Sequence, residues 1–165
     1  MKKGIRIIFT GGTIDSYAQH KSRSSFIPHY LESLHVHSSL PIRYTFLLKK
    51  FSPDLTEKDR QLITYFIKHV PEDRILLLHG TDKMVETANY LQTHLDRIDQ
   101  TILLVGAMIP FGETVFSDAP FNLGYAIGTL TRPYLPRGVY IAMHGKWFLP
   151  FFTRKDIQHQ VFYSE

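Results

Sequence analysis

Residues 75–78, Ile75-Leu76-Leu77-Leu78, form an unbroken apolar run that stops at His79-Gly80-Thr81-Asp82. Apolar character without alternation belongs to a strand covered on both faces, the environment of a parallel sheet between helical layers. The run is read as a strand over 74–79. The stretches 5–10, 101–106 and 139–143 have the same character, and 42–48 reads as a further strand. Between them the apolar spacing becomes helical. Thr56 can cap a helix whose apolar face is Leu62, Ile63, Phe66, Ile67 and Val70, with Pro71 stopping it. Asp82 can open a helix carrying Met84, Val85, Ala88 and Leu91. Asp118 can cap one carrying Leu123, Ile127 and Leu130, and a shorter helix is expected around 29–35.

Strands separated by helices make βαβ units with right-handed crossovers. The expected fold is α/β: a doubly wound open parallel sheet of about five strands with helices on both faces, a flavodoxin- or Rossmann-like three-layer arrangement. A chain of 165 residues fits one such domain, taken as 1–165 with no carboxyl-terminal domain. Apolar residues make up 44%, enough for a real core, which argues against disorder. The absence of cysteine excludes disulfides and thiolate zinc sites. No apolar run approaches the roughly 18 residues of a membrane span. Residues 5–9, after Met1-Lys2-Lys3-Gly4, are too short for a signal-peptide core, so a cytoplasmic location is expected. The formal charge of +4 is spread along the chain, with only Lys49-Lys50 and Arg154-Lys155 as basic pairs. No nucleic-acid partner is expected from it. Of the nine histidines only His35 and His37 are close, and no carboxylate shares their helix face. Neither a metal nor a cofactor is expected.

In open parallel sheets ligands bind beyond the carboxyl ends of the strands. There the chain carries Gly11-Gly12-Thr13-Ile14-Asp15-Ser16, Phe51-Ser52-Pro53-Asp54, Gly80-Thr81-Asp82 and Gly106-Ala107-Met108. Glycines at such ends let backbone N–H groups come close to a ligand. A threonine hydroxyl becomes a nucleophile when a base takes its proton, and a partly desolvated lysine beside a carboxylate can be that base. Two plainer readings compete. Gly-Gly-Thr is often only a turn or a weak phosphate loop, and here it lacks both the Walker pattern and G-x-G-x-x-G. Gly-Thr-Asp is often a turn followed by a helix cap. The residues alone point to an α/β enzyme or ligand binder, and spacing alone does not select Lys155. The longest irregular stretch, 11–28, is rich in Ser, Lys, Arg and Gln, as functional or mobile loops often are.

Four segments carry a resemblance. Thr10-Gly11-Gly12-Thr13-Ile14 resembles the first signature of the bacterial-type asparaginases. His79-Gly80-Thr81-Asp82-Lys83-Met84, followed by Glu86-Thr87-Ala88, resembles their second. Val105-Gly106-Ala107-Met108 and Ser117-Asp118-Ala119-Pro120-Phe121-Asn122-Leu123 are also similar to that family. All four occur in order, each after an expected strand. The likeness covers the amino-terminal domain of the two-domain enzymes. It extends to short single-domain asparaginase-like proteins through Glu72-Asp73-Arg74-Ile75-Leu76 and residues 137–143.

The resemblance implies hydrolysis of the side-chain amide of L-asparagine, or of a related small amide, through a threonine acyl-enzyme. Thr13 matches the attacking threonine. Thr81, Asp82 and Lys155 match the proton relay, with Thr81 also activating the hydrolytic water. Asp82 would hold the substrate's α-amino group and Ser52 its α-carboxylate. Gly12 belongs to the first signature and is assigned to substrate binding, while Gly80 and Ala107 match backbone contacts to the substrate. Tyr17 is assigned as the lid aromatic facing the nucleophile, with Phe26 as the alternative. Pro53 departs from the family, because it lacks the donor that a polar residue there would offer. Alternatives are an amino-acid-binding module of weak or no activity, and the ammonia-producing part of an amidotransferase complex. Trp147, Phe148, Phe151 and Phe152 either pack on the core or mark an interface, and a homodimer or higher homo-oligomer is expected.

Overall fold

The computed structural model describes residues 2–15, 26–33, 38–96, 99–111 and 116–165. Tyr17, His35 and His37 lie outside the described residues. Five strands run parallel: β1 (Lys2–Phe9), β2 (Ile42–Phe46), β3 (Glu72–Leu78), β4 (Thr101–Val105) and β5 (Gly138–Met143). A short sixth strand, β6 (Lys146–Phe148), pairs antiparallel with β5, giving the order β2-β1-β3-β4-β5-β6. The order steps outward from β1 in both directions, which is the doubly wound pattern expected.

Helices cover both faces. One face packs α1 (Ile27–Ser33) and α4 (Ala119–Leu130) on Ile5, Ile7, Phe9, Leu76, Leu78, Leu103 and Val105. The other packs α2 (Glu57–His69) and α3 (Met84–His94) on Ile8, Ile75, Leu77, Ile102 and Leu104. Each residue of β3 is buried, as its lack of alternation requires. At the amino ends of the strands the fully buried Glu72 carboxylate takes two bonds from Arg6, at 3.0 and 2.9 Å, and one from Arg43 at 3.1 Å. This triad ties the starts of β1, β2 and β3 together.

Helix α2 opens as expected. The Thr56 hydroxyl accepts from Asp59 N–H, and the Asp59 carboxylate takes the Thr56 N–H in return. Lys50 adds two bonds to Asp59, at 2.9 and 2.8 Å. Burial opposes ionisation of Asp59, but these bonds outweigh it and lower the carboxyl to about 2. Ile63 and Ile67 are buried as expected and Phe66 and Val70 pack partly buried beside them, whereas Leu62 is exposed and Thr64 joins the buried face.

The carboxyl-terminal region departs from expectation. β5 turns into β6 through His144 and Gly145, both at positive φ, the arrangement of a tight two-residue hairpin turn. A second hairpin of β7 (Thr153–Asp156) and β8 (Val161–Ser164) forms its own two-stranded sheet. Phe162 of β8 enters the core beside Phe148. Of the four aromatics read as a cluster, Phe148 is buried and Trp147 packs against Tyr140, whereas Phe151 and Phe152 stay 58% and 57% exposed.

Candidate active site

Register brings the strand ends together. Phe9 of β1 pairs with Leu78 of β3, and Leu78 pairs with Val105 of β4. The chain therefore leaves three neighbouring strands at one level, with Gly12-Thr13, Gly80-Thr81 and Ala107 following. The Thr10 hydroxyl and amide both donate to the Leu78 carbonyl, at 2.7 and 3.2 Å, fixing the exit from β1 against that of β3. Gly12 then adopts φ +86, and a Cβ there would meet Gly80 N at 2.4 Å. No other residue allows that approach. A short 3₁₀ turn over Thr13–Asp15 follows, anchored by fully buried Ile14, and it holds Thr13 half-buried at the rim.

Gly80 touches a third loop. A Cβ on it would lie 2.5 Å from Ser52 Oγ. Ser52 is buried in the 3₁₀ turn after β2, where its hydroxyl accepts from Asp82 N–H at 3.2 Å and from Lys83 N–H at 3.4 Å. This corrects one sequence expectation. Asp82 does not cap its own helix: α3 begins at Met84, Lys83 at its N-cap gives no side-chain capping bond, and Ser52 from another loop takes the two amides just before the helix.

The Asp82 carboxylate is thereby left for another partner. Lys155 Nζ donates to Asp82 Oδ1 at 2.5 Å and to Thr81 Oγ1 at 2.9 Å. The hairpin explains why Lys155, and not Arg154, reaches inward. Lys155 pairs across the strands with Phe162, and paired residues share a face. Phe162 is buried on the α3 side, so Lys155 points there as well. Arg154 projects outward to Glu165 at 3.1 Å. The 3₁₀ turn before β7 is fastened to α3 by Asn89 Nδ2 on the Pro150 carbonyl at 3.3 Å. The Lys155 side chain is 15% exposed and that of Asp82 60%, so one side of the ion pair faces solvent.

Asp118 stands at the N-cap of α4, as expected, but its side chain makes no capping bond. Its carboxylate accepts from Met108 N–H at 3.0 and 3.1 Å and from Ile109 N–H at 2.9 Å, in the loop after β4. One turn along α4, Asn122 donates to Asp118 at 2.9 Å and to the Gly106 carbonyl at 3.1 Å, and its oxygen accepts from His144 N–H at 3.0 Å. These two side chains fix the backbone on either side of Ala107. The sequence suggested only a capping role for Asp118 and none for Asn122, although their i, i+4 spacing was a usable signal. Phe26, the alternative lid aromatic, packs edge-on to Phe111 with centroids 5.5 Å apart.

The structure thus brings Gly12, Ser52, Gly80, Thr81, Asp82 and Lys155 into one strand-end cluster, with Thr13 directly following Gly12. Ala107 follows Gly106, to which Asn122 ties the loop. Among the described residues no group of three or more histidines, aspartates or glutamates is placed to hold a metal ion. No helix among them is long and apolar enough to cross a membrane.

A doubly wound sheet with a lysine–carboxylate pair on a threonine at the carboxyl end of its central strand defines an α/β domain with a strand-end cluster of hydroxyl, carboxylate and ammonium groups. The chain belongs to the asparaginase family, matching its amino-terminal domain (Asparaginase, N-terminal) over residues 4–161. It is 32% identical over 134 residues to L-asparaginase 1 of Escherichia coli strain K12, an alignment covering 74% of this chain and 38% of that protein. To L-asparaginase 2 of the same organism it is 37% identical over 73 residues, 44% of this chain and 20% of that one. The solved L-asparaginase I from Vibrio cholerae superposes with a TM-score of 0.83 at 25% identity, covering 99% of this chain and 52% of that one. A probable cytoplasmic L-asparaginase from Campylobacter jejuni shares the fold, with a TM-score of 0.81 at 23% identity over 99% of this chain and 53% of that one. The chain spans under two fifths of the length of the curated relatives and about half that of the solved ones.

Proposed function

We propose that this chain hydrolyses the side-chain amide of L-asparagine, or of a closely related small amide, to the carboxylate and ammonia through an acyl-enzyme on Thr13. The observation that carries the reading is the Lys155 ammonium nitrogen held between Thr81 Oγ1 and Asp82 Oδ1 at 2.9 and 2.5 Å. Family membership and the Gly12–Gly80 contact support placing Thr13 beside that group. Thr13 attacks the amide carbon, and its hydroxyl proton passes to the departing ammonia through the Thr81–Lys155 relay. Backbone N–H groups beside the glycines hold the developing oxyanion, each such donor contributing about 3 kcal/mol in enzymes of this kind. Water, with its proton taken by the same relay, then releases the acid. Asp82 orients Lys155 and binds the substrate's α-amino group, Ser52 binds its α-carboxylate, and Gly80 and Ala107 contribute backbone contacts. Tyr17 is the proposed aromatic over the nucleophile.

The exposed side of Asp82 favours a second reading. A site open to water stabilises charge poorly, so the chain could bind the amino acid with little turnover. Ammonia release from L-asparagine, L-glutamine and short amides separates the two. The hydrolase requires wild type to exceed Thr13→Ala on at least one of them. Saturable binding with identical traces for both proteins supports the binding module. A homo-oligomer in the cytoplasm is also proposed. Exposed Phe151 and Phe152 support the association, and sedimentation showing only monomer at micromolar concentration would remove it.

A further inference from the structure

Among the buried titratable groups that this mechanism leaves unused, His79 lies nearest the strand-end cluster. It follows β3, and its N–H extends the ladder to the Val105 carbonyl at 2.9 Å. Its side chain is fully buried. Nδ1 lies 2.7 Å from the carbonyl oxygen of the next residue, Gly80, and because a carbonyl only accepts, Nδ1 carries the hydrogen. Nε2 is then an acceptor, and among the described residues it has no partner. Burial, with a smaller push from the Arg60 charge, lowers the imidazole to about 4 against the opposing effect of the Gly80 bond, so the ring stays neutral.

Leucine would fill this space without enclosing an orphaned nitrogen, so packing does not account for a histidine here. The distinctive feature is its one bond, and the bonded carbonyl belongs to the peptide joining Gly80 to Thr81. In a trans peptide C=O and N–H point in opposite directions. Pulling the Gly80 oxygen toward the buried ring turns the Thr81 N–H away from the core, toward the strand-end cluster. It also sets the direction in which Thr81 leaves the backbone. Gly80 is also the residue against which Gly12 and Ser52 pack, so its orientation bears on those loops as well.

We propose that His79 is a positioning residue: its Nδ1–H fixes the plane of the Gly80–Thr81 peptide and so holds the Thr81 hydroxyl on Lys155. The proposal rests on the hydrolase reading for its kinetic consequence only.

Three substitutions in the full chain test it. In His79→Asn the side-chain amide nitrogen occupies the place of Nδ1 and keeps the donor. His79→Leu removes it, and His79→Gln moves it outward to the place of Nε2. In the Leu and Gln variants kcat for ammonia release should fall about 100-fold while KM changes less than about 3-fold. The Asn variant should recover to within about 10-fold of wild type. Equal kcat in the Asn and Leu variants, or a loss confined to KM, overturns the proposal. Long-range ¹H–¹⁵N spectra of wild type require no variant to fold. They should show the His79 ring as the neutral Nδ1–H tautomer from about pH 8 to pH 5, and an Nε2–H tautomer overturns the proposal. If wild type hydrolyses no amide, the hydrolase reading fails separately, and the Thr81 amide and methyl resonances then decide. Displacement in the Leu variant with recovery in the Asn variant supports His79 as the positioning group. Unmoved resonances in the Leu variant refute it.

Discussion

Gly12 and Gly80 meet backbone to backbone: a single added carbon on Gly12 would lie 2.4 Å from the Gly80 nitrogen. The contact joins loops 68 residues apart in sequence and sets the residue before Thr13 against the residue before Thr81. Two effects oppose any other residue at position 12, the φ of +86 and the collision with main chain that cannot rotate aside. Gly12→Ala should lower stability by about 2 kcal/mol or more, measured by urea denaturation, and should abolish ammonia release. A variant as stable as wild type would show that the loops do not pack this closely.

Under the proposed function Lys155 acts through its proton chemistry as well as its charge. Lys155→Arg keeps the charge and can still reach Asp82, but a guanidinium does not give up a proton near neutral pH. Both Lys155→Met and Lys155→Arg should lose on the order of 10²–10⁴ in kcat, with no rescue by arginine. Substantial activity in the arginine variant would reduce Lys155 to an electrostatic role.

Ser52 anchors the turn before α3 from another loop. Ser52→Ala leaves the Asp82 and Lys83 amides without their acceptor and should destabilise the protein by about 1 kcal/mol in thermal or urea unfolding. Under the proposed function it also raises KM, through loss of the α-carboxylate contact. A rise in KM without loss of stability would mean that these two bonds are dispensable.

Asp118 accepts only from donors: two backbone amides and the Asn122 side chain. Asp118→Asn keeps the shape but turns an NH₂ group toward at least one of them. The expected cost is about 1–3 kcal/mol, with reduced activity because the loop carrying Ala107 loses its anchor. Urea midpoints and ammonia release, measured together, check both parts.

His79 links stability to pH. Its folded value, about 4, lies below the ordinary histidine value of 6.5, so between these limits the unfolded chain binds the extra proton. Its neutral burial therefore costs nothing above about pH 6.5 and costs progressively more as pH falls toward 4. Between pH 7 and pH 5 wild type should lose about 2 kcal/mol that a His79→Asn variant retains. Parallel urea curves for the two proteins at both pH values test this, and a stability difference that does not change with pH would contradict it.

The alternation of apolar runs and amphipathic stretches determined the five parallel strands, the helical layers and their order along the chain. Those features are local: a strand buried on both faces must lack polar alternation, and Gly-Gly-Thr or Gly-Thr-Asp after such a strand marks its exit. The motifs also named Thr13, Thr81 and Asp82, because they sit beside the strand ends that carry them. Only the tertiary structure decided the rest. β6, β7 and β8 are three or four residues long, too short to show a period, and Thr153-Arg154-Lys155-Asp156 reads as polar until Phe162 supplies a buried partner across the hairpin. Asp82 and Asp118 both occupied cap positions by sequence, yet neither carboxylate caps its helix: Asp82 meets Lys155, and Asp118 holds the loop after β4. A side chain's choice among acceptors depends on which donors the fold brings within about 3 Å, and sequence spacing does not encode that distance.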